Sequence, residues 1–188
     1  LLDHLQLTRA HVIGVSMGGM IAQHLALTHP ERVWSLALLV THAGGLRSVV
    51  PPLKGLSAFL GAQLERSPER RLEHLKRLLF PAEARGRFEE AELNALLIEE
   101  FRPSPPSEVR LAQLKAVLRH HTASKLSELS ERALPTLIVS AAQDNLVSPR
   151  HQTRLARLLP HAHHVHFEGA GHGLLRQREL GLCERLEE

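Results

Sequence analysis

The chain has 188 residues, of which 43% are hydrophobic and 23% charged, and its formal net charge is +3. These values are typical of one globular domain, and the interspersed charges argue against a nucleic-acid-binding surface. The single cysteine, Cys183, excludes an internal disulfide, suits a reducing compartment and is expected to be buried in the last helix. No apolar run is long enough to span a membrane. We therefore expect a cytoplasmic protein that binds neither nucleic acid nor membranes, in an oligomeric state that the sequence leaves open.

The first element along the chain is a short β-branched strand over residues 11–15, which runs into Gly-x-Ser-x-Gly and then a helical pattern. This is the sequence form of a nucleophile elbow, in which Ser16 lies on a sharp strand-to-helix turn. We predict strained backbone at Ser16, no room for side chains at Gly14 and Gly18, and a Met17 N–H directed at a developing oxyanion. Two alternatives remain for this turn: an ordinary serine in a glycine-rich loop, or a phosphate-binding turn.

The second strand is the continuous apolar run over residues 33–40, which is typical of a parallel sheet covered on both faces. Trp34 lies in this run and is expected in the core. Residues 51–130 then change character and show amphipathic helical stretches without a strand pattern. Ser67 and Ser107 are expected to cap two of these helices, and residues 88–101 are expected to form another.

The last part of the chain returns to strands. Residues 136–140 form a buried-strand pattern, and Asp144 follows just past its end. Residues 164–167 form a fourth short strand, which leads to His172 between two glycines. A serine hydroxyl is a poor nucleophile until a base removes its proton, and that base needs a carboxylate to orient it. The order Ser, Asp, His supplies these three groups, although a turn aspartate and a loop histidine are the alternative interpretations.

The histidine-rich segment over residues 161–166 raises the possibility of a metal site. In a strand, His164 and His166 would share one face, whereas His161 and His163 would lie on the other. This divides the potential ligands, and no neighbouring cysteine or aspartate completes a tetrahedral set. We therefore predict neither a metal nor a cofactor.

Three motifs in this order resemble the α/β-hydrolase superfamily, in particular its small serine-esterase-like members. The motifs are Gly-Val-Ser-Met-Gly-Gly at residues 14–19, the strand leading to Asp144, and Gly-Ala-Gly-His-Gly at residues 169–173. The resemblance implies a mostly parallel sheet, with about four strands in this chain, flanked by helices. It also implies a hydrolase core over residues 1–45 and 131–188, and a helical lid over residues 46–130 inserted between the second and third strands.

The resemblance further implies that Ser16, Asp144 and His172 form a catalytic triad acting on a small-molecule acyl substrate. The expected reaction is hydrolysis of a carboxylic ester through an acyl-enzyme, and lactone, thioester and carbon–carbon substrates stay open. The family's upstream strands and its second oxyanion donor are not found before the elbow, so we expect a partial fold with impaired activity and a free edge at the first strand. The competing hypothesis is a catalytically incompetent fragment or a non-catalytic ligand-binding protein.

Overall fold

The computed structural model describes residues 1–101, 105–177 and 181–182. The prediction for Cys183 lies outside the described residues. The described strands are β1 (Ala10–Val15), β2 (Val33–Leu39), β3 (Thr136–Ala141) and β4 (His163–Phe167). The described α-helices are, in chain order, α1 (Met17–Thr28), α2 (Leu53–Leu64), α3 (Pro68–Leu79), α4 (Ala82–Arg85), α5 (Glu90–Phe101), α6 (Ser107–Arg119), α7 (Ser127–Glu131) and α8 (Pro149–Leu158).

The four strands form one sheet in the order β1-β2-β3-β4. Strand β2 pairs in parallel with both β1 and β3, as the apolar run in its sequence predicts. Helix α1 connects β1 to β2 and packs against both strands. The predicted α/β class, with four strands flanked by helices, is confirmed. Among these strands β1 lies at one edge, where the side chain of Ile13 is 59% exposed.

The prediction that Trp34 lies in the core is wrong, because 53% of its surface is exposed. The register between β1 and β2 explains this: Ala10 pairs with Val33, whereas His11 pairs with Ser35. Trp34 is thus the extra residue of a bulge, and a bulged residue leaves the regular alternation of faces. Its indole ring instead meets the His11 ring edge-on at a centroid distance of 5.3 Å.

The helical region between β2 and β3 follows the sequence pattern closely. Helix α3 begins at Pro68, and the Ser67 hydroxyl accepts a hydrogen bond from the Arg70 N–H at 3.4 Å, as expected of a cap. Helix α5 lies within the predicted residues 88–101, and α6 has Ser107 as its first residue. Whether this region acts as a lid remains a prediction.

The chain divides into two compact units, each with its own apolar core. The first unit consists of Leu1–Val49, Leu114–Ser140 and Pro149–His166, and the second of Val50–Gln113, Ala141–Ser148 and Phe167–Glu188. In the first unit, Leu36, Leu38 and Ile138 of the sheet are buried with Leu155 of α8. In the second, Leu75, Phe80 and Leu97 form the centre of a helical core. Within the described ranges, no helix is both long and apolar enough to cross a membrane.

Candidate active site

Ser16 lies in the first unit, in the sharp turn between β1 and α1. Its backbone has φ 54° and ψ −118°, a conformation that L-residues rarely adopt, so the predicted strain is present. The turn is held because the Ser16 N–H donates to the Leu39 carbonyl at 2.9 Å. Met17 is the first residue of α1, so its N–H has no acceptor within the helix.

The glycines around Ser16 are only partly explained by crowding. A Cβ on Gly14 would lie 2.5 Å from the Gly18 carbonyl oxygen, so a side chain is excluded there, as predicted. At Gly18 a Cβ would meet no atom of the described residues within 4 Å, so crowding does not account for this glycine. The crowded position on the helix is instead Gly19, where a Cβ would lie 2.6 Å from the Thr41 side chain. The position of Thr41, just after β2, therefore makes glycine necessary at residue 19 and not at residue 18.

Thr41 supports the elbow, and the sequence analysis did not identify it. Its hydroxyl donates to the Ser16 carbonyl at 2.7 Å, and the residue is 1% exposed. The preceding residue, Val40, has φ 43°, which is a true outlier for a β-branched side chain. The strained turn at Ser16 is thus supported by a second strained turn at the end of β2.

Asp144 and His172 lie in the second unit and are hydrogen-bonded to each other. The His172 Nδ1 lies 2.8 Å from Asp144 Oδ2, and both side chains are almost fully buried. Because a carboxylate only accepts hydrogen bonds, Nδ1 carries the proton when the ring is neutral, and the lone pair is then on Nε2. The other carboxylate oxygen, Oδ1, accepts from the backbone N–H groups of Leu146 and Val147, each at 2.8 Å.

The loop that carries His172 runs very close to the end of α3. A Cβ on Gly171 would lie 2.5 Å from the Leu79 carbonyl oxygen, and a Cβ on Gly173 would lie 2.7 Å from the Phe80 ring. The glycines that flank the histidine are therefore needed for this close approach. By contrast, a Cβ on Gly169 would meet nothing within 4 Å in the described part of the chain.

The histidine-rich segment forms a hydrogen-bonded group around Ser140. The Ser140 hydroxyl lies 2.7 Å from His164 Nε2 and 2.6 Å from His166 Nδ1, so these two rings share one face of β4 as predicted. His161 is held elsewhere, 2.8 Å from the Ser130 hydroxyl. In the ranges that the structure covers, no three metal-ligating side chains come together in a group that could hold a metal ion.

A second histidine group lies in the first unit. His42 is 1% exposed, and its Nδ1 accepts a hydrogen bond from the Gly44 N–H at 3.0 Å. Burial, helped by the nearby His120 and His151, lowers the pKa of His42 to about 4. Burial also lowers the pKa of His120, whose Nε2 donates to the His42 carbonyl at 3.0 Å. These rings are neutral near pH 7, and their hydrogen bonds fix the loop that follows β2.

The fold agrees with comparisons to known proteins. Residues 1–177 match the family of the alpha/beta hydrolase fold, and the chain belongs to this family. A crystal structure of the enol-lactonase from Burkholderia xenovorans LB400 superposes with a TM-score of 0.76 at 21% identity, covering 98% of this chain and 66% of that one. At this identity the superposition shows the fold alone.

Two curated relatives have similar sequences over most of this chain. RutD of Caulobacter vibrioides, whose name assigns it carbamate hydrolysis, is 32% identical over 172 residues, which are 92% of this chain and 61% of RutD. The rhodomycin D methylesterase DnrP of Streptomyces peucetius is 31% identical over 198 aligned residues, covering 92% of this chain and 64% of DnrP. The chain thus spans less than two thirds of the length of these relatives.

Proposed function

We propose that the chain carries the catalytic part of a serine hydrolase that cleaves a carboxylic ester through an acyl-enzyme on Ser16. His172 would remove the hydroxyl proton and later activate water, and Asp144 would orient and support His172. The Met17 N–H would donate one hydrogen bond to the oxyanion of the tetrahedral intermediate. The proposal is carried by the 2.8 Å bond from His172 Nδ1 to Asp144, which leaves Nε2 free to accept the serine proton.

The names of the relatives support this reaction class. A methylesterase and a carbamate hydrolase both cleave a bond to a carbonyl group, as an acyl-enzyme mechanism requires. The strained backbone at Ser16 supports the same conclusion. Strain of this kind costs about 1–3 kcal/mol, persists only where the surrounding structure imposes it, and is found mostly at functional sites such as active sites.

We also propose that the helical region over residues 46–130 is the lid that forms the acyl pocket. Two of its helices contact the loop of the proposed acid. A Cβ on Gly55 of α2 would overlap the Asn145 carbonyl, and Asn145 Nδ2 donates to the Arg77 carbonyl of α3 at 3.1 Å. A substrate bound against α2 and α3 would therefore contact the same helices that hold the loop of Asp144.

The proposed nucleophile is tested with a fluorophosphonate probe and mass-spectrometric mapping of the labelled residue. Wild-type chain should be labelled at Ser16, and Ser16→Ala should not be labelled. Ser140→Ala is the matched control, because Ser140 also lies within hydrogen-bond distance of histidine nitrogens. We expect this variant to be labelled like the wild type. Labelling that is lost in Ser140→Ala and kept in Ser16→Ala would refute the assignment.

A further inference from the structure

The loops that carry Asp144 and His172 are both fastened to the last turn of α3. Asn145 Nδ2 donates to the Arg77 carbonyl oxygen at 3.1 Å, and the Gly173 N–H donates to the Leu79 carbonyl oxygen at 2.8 Å. Carbonyl groups in the last turn of a helix have no N–H partner within the helix, so they are free to accept these bonds. One helix end therefore holds two loops that are distant in sequence.

Gln177 holds the histidine loop from its other side. The residue is 2% exposed, and its Oε1 accepts from the Gly171 N–H at 2.9 Å. Its Nε2 donates to the Gly169 carbonyl oxygen at 3.1 Å. One side-chain amide thus bridges two backbone groups of the loop, and its donor and acceptor are both used. Removing the amide would leave buried backbone polar groups without this partner.

We propose that Asn145 and Gln177 are positioning residues for the His172–Asp144 pair, acting together with the carboxyl end of α3. Asn145 fixes the acid loop, Gln177 fixes the histidine loop, and both loops take their position from the same helix end. The inference rests on the proposed function, because the position of His172 affects the rate only if His172 is the base. A displacement of about 1 Å in such a group can reduce the rate by roughly 10²-fold.

The experiment compares three variants in the full chain. Gln177→Met keeps the volume of the side chain and removes both hydrogen bonds, Gln177→Glu keeps an acceptor for the Gly171 N–H, and Asn145→Ala removes the bond to α3. The matched control is Gln23→Met, because Gln23 is also a buried amide with two partners, the His42 carbonyl at 3.1 Å and the Thr122 hydroxyl at 2.6 Å. This control separates positioning from a general loss of stability.

Two measurements are made on each variant. The first is the far-downfield proton NMR resonance of His172 Nδ1–H, which reports its hydrogen bond to Asp144 without any turnover. The second is kcat and KM for p-nitrophenyl acetate. We expect Gln177→Met to lose the resonance and to lower kcat by roughly 10- to 10²-fold at an unchanged KM. Gln177→Glu and Asn145→Ala should show smaller losses, and Gln23→Met, whose side chain bonds to the loop after β2 and not to the histidine loop, should keep the resonance.

The two proposals fail in different ways. If Gln177→Met and Asn145→Ala keep the resonance and the wild-type kcat, the positioning proposal is wrong. It is also wrong if Gln23→Met loses the resonance to the same degree as Gln177→Met. If the wild type shows the resonance, its variants lose it, and no ester is hydrolysed, then positioning stands and the proposed function fails. Should Gln177→Met not fold, the comparison of Gln177→Glu and Asn145→Ala with Gln23→Met decides the question.

Discussion

Gly171→Ala is the substitution that should most clearly uncouple the histidine loop from α3. A Cβ on Gly171 would lie 2.5 Å from the Leu79 carbonyl oxygen and 2.6 Å from the Pro81 Cδ, and neither a helix carbonyl nor a proline ring can turn away. To reach ordinary contact near 3.4 Å, the loop must move by about 0.9 Å. Asn145 keeps the acid loop on α3, so this movement would stretch the 2.8 Å bond between His172 and Asp144 beyond hydrogen-bond distance.

The expected cost follows from this displacement. Overpacking of this kind destabilises a protein by about 1–3 kcal/mol, which urea unfolding would measure. A misplacement of nearly 1 Å should lower kcat by roughly 10²-fold for p-nitrophenyl acetate. Gly169→Ala is the matched control in the same loop, because it adds the same methyl group where the described residues leave space. Neither glycine has a left-handed φ, so the alanine backbone fits both positions.

The reasoning is refuted if Gly171→Ala retains the wild-type kcat and the wild-type free energy of unfolding. It is also refuted if Gly169→Ala is as damaging as Gly171→Ala, because the loss would then follow from a methyl group added anywhere in the loop rather than from the contact with α3.

Four further outcomes are expected. Both His172→Ala and Asp144→Asn should lower kcat by roughly 10³-fold or more, and steady-state kinetics showing near-normal turnover in either variant would remove that residue from the proposed triad. Activity should survive dialysis against EDTA, whereas zinc content that tracks activity would contradict the prediction that catalysis needs no metal. Thr41→Val should lower kcat without preventing folding, because it removes the hydroxyl that donates to the Ser16 carbonyl. A kcat equal to that of the wild type would show that the turn at Ser16 does not need this hydrogen bond. Finally, burial lowers the pKa of His42 to about 4, so the unfolded state takes up a proton more readily than the folded state. The free energy of unfolding, measured with urea, should therefore fall between pH 6.5 and pH 4 by at most about 3 kcal/mol. His42→Asn should flatten this part of the pH profile, and an unchanged profile would contradict the assignment to His42.

The strands and the helices were largely predictable because their signals are local. Apolar or β-branched runs indicated the first three strands, and Ser67 followed by a proline indicated the start of α3. The error at Trp34 has a different origin, because the bulge depends on how β1 aligns with β2. A run of apolar residues in one strand contains no information about a register shift in its partner.

The sequence indicated the reactive side chains of the candidate site, but it did not indicate the residues that hold their loops in place. Ser16, Asp144 and His172 carry recognisable flanking residues, whereas Asn145 and Gln177 are amides in loops with no distinctive pattern. Their importance comes from partners far away in sequence, such as the Arg77 carbonyl that Asn145 binds. The same holds for the glycines on α1, where the position of Thr41 requires a glycine at residue 19 and leaves Gly18 unconstrained by packing.

The last turn of α3 has a consequence for exchanging helical inserts between related proteins of this family. Adding one residue inside α3 before Arg77 would rotate the carbonyls of Arg77 and Leu79 by about 100° around the helix axis and move them by about 1.5 Å along it. Loop length before Pro68 can change without this rotation, since the added residues lie outside the helix. A graft that replaces residues up to Ser67 should therefore leave the histidine and acid loops in register. A graft with a junction inside α3 should succeed only when it preserves the number of residues to Leu79.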